Sequence, residues 1–320
     1  MDQSQLFLRK YQPLMFAEFE NADAILNILK TLIAMNNLNI LFIGNIGTGK
    51  TTFLNATINE YYKGIETEQY KDNILYINSL KEQGINFYRN DVKTFCQSCS
   101  AIKGKKKIIV LDDIDIINEQ SQQVFRNYID KYSKNVQFMS TCVNSQKIIE
   151  SLQSRLILIK IMPLQPADLY QISAKILHAE KISITSEALD FIINVSNNNP
   201  KILINYMEKF KLLDQDINKT IVTNVCTNIS FFVFEEYTKL LMNKEIKPAI
   251  KVLYNIYDKG YSVMDILDSY FLYVKTATIL NENQKYNIIP IICKYITIFH
   301  NIHEDEIELA VFTNHLYKIL

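Results

Sequence analysis

Glycine is scarce in this chain, seven in 320 residues, yet Gly44, Gly47 and Gly49 fall within six positions of one another. They belong to the string LFIGNIGTGKTT, whose core Gly44-Asn45-Ile46-Gly47-Thr48-Gly49-Lys50-Thr51 has the spacing G-x-x-x-x-G-K-[ST] and continues into Thr52. Such a loop, set between an apolar strand and a helix, turns consecutive amides into one concavity at the positive end of the helix. That concavity holds a polyphosphate. Lys50 is expected to reach the β and γ phosphates, and the Thr51 hydroxyl to ligate Mg²⁺.

A second signal is KKIIVLDDID, from Lys106 to Asp115. Four apolar residues deliver Asp112 and Asp113 to the end of a strand, as a carboxylate serving a phosphate-bound metal requires. Asp112 is the candidate metal ligand and Asp113 the candidate base for an attacking water. Third, the run Val136–Met139 leads to Thr141, Cys142, Val143 and Asn144, and the Asn144 amide is placed to position that water. Fourth, Ser154 and Arg155 follow a short helical stretch.

These residues need a scaffold, and the chain supplies one. Short apolar runs at 40–43, 74–77, 108–111, 136–139 and 156–161 read as strands buried on both faces. Helical patterns lie between them at 50–62, 85–100, 118–132 and 145–153. The alternation predicts an α/β fold, a parallel sheet of about five strands covered by helices, with its ligand at the carboxyl end of the first strand. Beyond Pro163 and Pro166 the period is helical. Candidate helices span 166–179, 186–196 and 200–213, with Thr185 or Ser186 capping the second and Asn199 before Pro200 starting the third. From Phe231 onward the pattern stays helical, and Gly260 is a stop for a helix over 247–259.

Lysine plus arginine and aspartate plus glutamate balance at 34 each, so any nucleic-acid contact must come from a local patch. No run of about 18 apolar residues is present to span a bilayer, and no signal-peptide pattern opens the chain, so no membrane association and an intracellular location are expected. Five cysteines without paired spacing suit a reducing compartment. Cys96 and Cys99 are expected as neighbours on one helix face. Lys103, Lys105, Lys106 and Lys107 form the densest basic cluster and are expected in an exposed loop. The stripe Tyr237, Leu240, Leu241, Ile250, Leu253, Tyr254 and Tyr257 reads as helix packing, within the chain or between chains.

The order of phosphate loop, DDID, strand with terminal Asn, and Ser-Arg resembles the AAA+ ATPases. The finer text is similar to the small subunits of the replication factor C clamp loader: LRKYQP at Leu8–Pro13, NSLKEQG at Asn78–Gly84, DDIDIINEQSQQVFRNYIDKYSKNVQF with Gln122, Gln123 and Arg126, NSQKIIESLQSRL, AEKISITSEALDFI, NNNPKILINY and GYSVMDILDSYF. The resemblance implies an AAA+ α/β domain over 1–163, a helical lid over 164–228 and an all-α collar for oligomerisation over 229–320. It implies ATP and Mg²⁺ as cofactors. Leu8, Gln12 and Lys201 join the loop residues Gly44 to Thr52 and Asn144 around the nucleotide, and Arg155 serves a neighbouring subunit's site. Arg89, Lys93 and Arg126 are the candidate contacts to primer–template DNA; on residue type alone Arg89 and Lys93 equally suit a solvated helix face. The implied partners are the other subunits of a hetero-pentamer and a PCNA-type sliding clamp, at sites of DNA replication: the nucleus in a eukaryote, otherwise the cytosol or a viral replication compartment. The chain departs from the family's pattern at Gln12 and Lys201, where arginine is usual, at Asp113, where glutamate is usual, and at Leu156, where cysteine is usual. Reduced turnover is expected. Two alternatives stand beside this reading: a nucleotide-binding scaffold subunit with little hydrolysis, and another AAA+ DNA-processing ATPase.

Overall fold

Five runs rich in Ile, Leu, Val and Phe form five strands: β1 (Ile40–Ile43), β2 (Ile74–Asn78), β3 (Lys107–Asp112), β4 (Val136–Cys142) and β5 (Ile157–Lys160). The computed structural model describes residues 6–19, 21–78, 85–213, 215–226, 229, 231–277, 279–299, 303 and 305–319. Most of the stretch 78–84 that carries part of the family resemblance lies outside them. The strands build one sheet in the order β2-β3-β4-β1-β5, and every pairing is parallel. Alternate side chains go to opposite faces, which is why the runs are apolar throughout. Leu41, Ile109, Leu111 and Phe138 enter one core, while Ile40, Phe42, Ile108, Val110 and Met139 enter the other.

The helices of the sheet unit are α1 (Phe7–Lys10), α2 (Asp23–Ala34), α3 (Lys50–Tyr61), α4 (Thr67–Tyr70), α5 (Ile85–Gln97), α6 (Glu119–Tyr132) and α7 (Glu150–Gln153). Leu26, Leu29 and Leu32 of α2 and Phe53, Leu54, Ile58 and Tyr61 of α3 cover one face. Tyr88, Val92 and Cys96 of α5 and Phe125, Tyr128 and Ile129 of α6 cover the other. Helix α2 was not anticipated, although its leucines recur every third residue. The stretch 145–153 was expected as one helix and is a 3₁₀ turn (Ser145–Lys147) followed by α7.

The remaining helices are α8 (Pro166–Glu180), α9 (Ser186–Ser196), α10 (Pro200–Leu213), α11 (Lys219–Val225), α12 (Phe231–Met242), α13 (Ile246–Tyr257), α14 (Val263–Thr276), α15 (Glu282–Phe299) and α16 (Ile307–Tyr317). The chain divides into two units, Met1–Ile176 with Asn198–Glu208, and Leu177–Asn197 with Lys209–Leu320. In the second unit Phe234, Tyr237, Tyr270 and Phe312 are fully buried. Buried Tyr237 shares a hydrogen bond of 3.1 Å with Thr313, as a phenol removed from water requires. Gly260 stands three residues past α13 at φ 93°, the left-handed stop expected of it. Ser262 and Asp265 form a reciprocal capping box at the start of α14.

Two expectations are corrected here. Cys96 is buried near the end of α5, whereas Cys99 lies beyond that helix and is exposed; the helix stops at Gln97, so they do not share a face. The lysine cluster is a solvated loop only in part: Lys103 is exposed in a turn, but the three lysines that follow are engaged. Lys105 Nζ donates to Tyr61 O at the last residue of α3, at 2.7 Å. Lys106 Nζ donates to Ser133 O just past α6, at 2.9 Å. Lys107 is 5% exposed and donates to Phe95 O and Ser98 Oγ at the end of α5, at 3.3 and 2.5 Å. Three helices end with carbonyls that lack intrahelical partners, and adjacent ammonium groups satisfy them where the helix dipole is negative.

Candidate functional site

The sheet register brings the chemistry to one edge. Ile43 pairs with Cys142, and Gly44 N donates to Cys142 O at 3.2 Å, so the phosphate loop leaves β1 beside the end of β4. The neighbouring β3 ends in the same direction at Asp112. Gly47 and Gly49 hold φ of 80° and 92°, a conformation that costs other L-residues about 1–2 kcal/mol. A β-carbon at Gly47 would also collide with the Asn199 amide, and one at Gly44 would sit 2.7 Å from Ile161 O. The loop is therefore glycine for conformation at two positions and for space at two.

Lys50 is 7% exposed. Its Nζ donates to Gly44 O and Asn45 O at 3.0 Å each, which folds the ammonium back over the loop. Thr51 Oγ1 donates to Asp112 Oδ1 at 3.3 Å. Thr141 Oγ1 donates to the same oxygen at 2.7 Å and accepts the Asp113 amide at 2.9 Å. Thr141 thus ties both acids to β4. Burial, and then the neighbouring Asp112 charge, raise the Asp113 carboxyl above the usual carboxylate range. Asn144 follows β4, exposed, with its side-chain carbonyl accepting Gln146 N at 2.9 Å.

Other expected nucleotide contacts are spread about this edge. Gln12 Nε2 lies 3.5 Å from Thr52 Oγ1. Leu8 is half-buried in α1, and Lys201 is exposed in the first turn of α10. Asn199, foreseen only as a helix cap, caps the Lys201 amide at 3.0 Å and also places its Nδ2 at 3.5 Å from Ile46 O in the loop. These residues fit a magnesium triphosphate: a loop held open by glycine, with no room for a side chain at Gly44, a buried ammonium, and a hydroxyl and carboxylate within 3.3 Å.

Residues 40–164 match the model of the ATPase family associated with various cellular activities (AAA). Residues 233–296 match the replication factor C C-terminal domain. The chain is 28% identical over 288 residues to the replication factor C small subunit of Methanococcus vannielii, covering 89% of this chain and 90% of that one. It is 27% identical over 271 residues to replication factor C subunit 4 of Oryza sativa, covering 84% and 80%. The chain thus carries an AAA ATPase domain followed by a replication factor C C-terminal domain. Among solved structures it is similar in fold to the RuvB Holliday junction branch migration motor of Thermotoga maritima, with a TM-score of 0.55 and 14% identity over 74% of this chain and 80% of that one.

In this replication factor C relative, Arg155 is bound away from the phosphate loop. Its Nε donates to Asp130 Oδ1 of α6 at 2.7 Å, and its Nη1 to Ser151 O at 2.6 Å and Ser154 Oγ at 3.4 Å. The pairing draws the Asp130 carboxyl below its usual range. Asp130 carries no sequence signal, because it lies 25 residues from its partner. Gln122 is fully buried in α6; its amide donates to Ile117 O and Lys147 O and accepts Ile149 N, at 2.9, 3.0 and 2.9 Å. It fastens the entry to α6 to the chain leaving β4.

The candidate DNA residues lie on the packed helices α5 and α6. Arg89 is exposed on α5 and lines a groove with Gln120, Gln123, Val124, Asn127 and Tyr128. Lys93 is exposed one turn further along α5. Arg126 is half-buried on α6, outside that groove, with its Nε buried and without a hydrogen-bond partner. Among the described residues no helix is long and apolar enough to cross a membrane.

Proposed function

We propose that this chain is an ATP-hydrolysing small subunit of a clamp loader, which opens a PCNA-type ring and sets it on primer–template DNA. The observation that carries this is the convergence of Lys50, Thr51, Asp112, Asp113 and Asn144 at one sheet edge while Arg155 is bound elsewhere. A site that holds a triphosphate but keeps its arginine on another face is suited to completion by a neighbour. The division 1–163, 164–228 and 229–320 into nucleotide domain, lid and collar belongs to the same reading, as does work at sites of DNA replication.

Each residue has a role in ATP cleavage. Backbone amides from Gly44 to Thr52 bind the phosphates, and Lys50 moves from its loop carbonyls onto them. Thr51 and Asp112 would hold Mg²⁺, which when bound neutralises phosphate charge. Asp113 takes a proton from the attacking water, and Asn144 orients that water. Leu8, Gln12 and Lys201 contact the nucleotide from the edges. Arg155 meets the γ-phosphate in the next subunit, where an arginine finger is worth up to about 10³–10⁵ in rate. Arg89, Lys93 and Arg126 meet DNA phosphates.

The test is Arg155→Ala. This subunit's own ATP affinity is expected to stay unchanged while hydrolysis by the complex reconstituted with its partner subunits slows. An isolated chain that hydrolyses ATP at the full rate, with assembled activity unaffected by the substitution, would overturn the role in trans. A second reading, a nucleotide-holding scaffold with little turnover, is favoured by Asp113, Gln12 and Lys201. Lysine keeps the charge but not the arginine fork. Asp113→Ala in the same reconstituted assay separates the two, because turnover by a complex in which this subunit is only a scaffold does not depend on Asp113.

A further inference from the structure

Asp115 is the one acid of the DDID string left without a role. It lies in the 3₁₀ turn Ile114–Ile116, directly after the strand that carries Asp112 and Asp113. Its Oδ2 accepts two consecutive backbone amides from the chain leaving β4, Val143 N at 3.2 Å and Asn144 N at 3.1 Å. Its Oδ1 is buried with no hydrogen-bond partner, so the carboxylate is committed to this one contact at the cost of an unsatisfied oxygen. A carboxylate accepting two neighbouring amides fixes the peptide plane between them. The Asn144 side chain is fixed independently, because its carbonyl caps Gln146 N at 2.9 Å. With the Asn144 main-chain amide and side-chain carbonyl both engaged, the donor it has left to offer is its Nδ2 group.

We propose that Asp115 is the positioning residue for Asn144: it clamps the end of β4 to the end of β3, so that the Asn144 amino group meets the attacking water in register with Asp113. The proposal rests on the reading of Asn144 as the water-orienting amide. Catalytic groups lose on the order of 100-fold in rate when displaced by about 1 Å. A clamp acting on the backbone of Asn144 itself controls displacements of that size.

The test uses the complex reconstituted with its partner subunits and reads kcat, nucleotide Kd and the coupling between two positions. Asp115→Ala is expected to lower kcat roughly 10-fold or more with the Kd for ATP unchanged. Asp115→Asn, whose carbonyl still accepts both amides, is expected to restore most of kcat. In an Asn144→Ala background, Asp115→Ala is expected to cost nothing further, because the group it positions is already gone. Asp115→Ser, too short to reach both amides, replaces Asp115→Ala if that variant does not fold. Additive losses in the double variant, an Asn variant as slow as Ala, or a parallel loss of ATP affinity would overturn the inference while leaving the water-orienting role of Asn144 intact. If Asn144→Ala alone left kcat unchanged, the reading of Asn144 would fall, and the inference with it.

Discussion

Asp113 sits at φ 53°, in the left-handed region that short polar side chains tolerate better than long ones. The site therefore suits aspartate by backbone conformation, while its chemistry favours the longer reach of glutamate. Asp113→Glu is expected to raise kcat of the assembled complex by about 10-fold or more, since a displacement of about 1 Å is worth on the order of 100-fold, and to lower the melting temperature of the chain. An unchanged kcat would mean that reach does not limit turnover. At this scale the phosphate loop and the DDID acids were legible in the sequence, because their chemistry depends on neighbours within ten positions. Thr141 and Asn199 were legible only as a strand end and a helix cap. Their partners are 28 and 153 residues away, and only the sheet register and the start of α10 bring them in.

Among the elements, the strands were legible because a sheet covered on both faces needs continuous apolar runs, and helix ends shifted by only a few residues where caps and glycines mark them. Lys105, Lys106 and Lys107 were misread because three adjacent charges look solvated in one dimension. In three dimensions the ends of α3, α5 and α6 gather around the start of β3 and use Lys105, Lys106 and Lys107 as donors. Burial lowers the pKa of the Lys107 ammonium, yet its removal takes a donor from both the Phe95 carbonyl and the Ser98 hydroxyl, which keep only their bond to each other at 2.9 Å. Lys107→Met is therefore expected to destabilise the chain by roughly 1–2 kcal/mol, read as a lower denaturation midpoint with no change in ATP affinity. An unaltered midpoint would show that the cap contributes nothing net. Helix α6 carries three jobs on one cylinder. Phe125 and Ile129 enter the core, Gln122 fastens the exit of β4, and Asp130 holds Arg155.

For the whole molecule, balanced charge means that any DNA affinity must come from a few placed cations, whose contribution is readable as salt dependence. Neutral substitution of both Arg89 and Arg126 in the assembled complex is expected to make the slope of log K against log salt shallower by roughly 2, about 0.9 for each phosphate left without its cation. An unchanged slope would remove both from the interface. The change from alternating to helical elements after Pro163 was legible in the periodicity, whereas the packing among the C-terminal helices depends on contacts such as Tyr237 with Thr313 that no local pattern carries. The central claim is that the loop from Gly44 to Thr52 cups the triphosphate and that Lys50 completes the cup. The most direct measurement is ATP affinity of the chain with Lys50→Ala, by titration calorimetry in the presence of Mg²⁺. The account predicts weakening on the order of 100-fold, about 2.7 kcal/mol, with the melting temperature without nucleotide little changed. Wild-type affinity in that variant would contradict it.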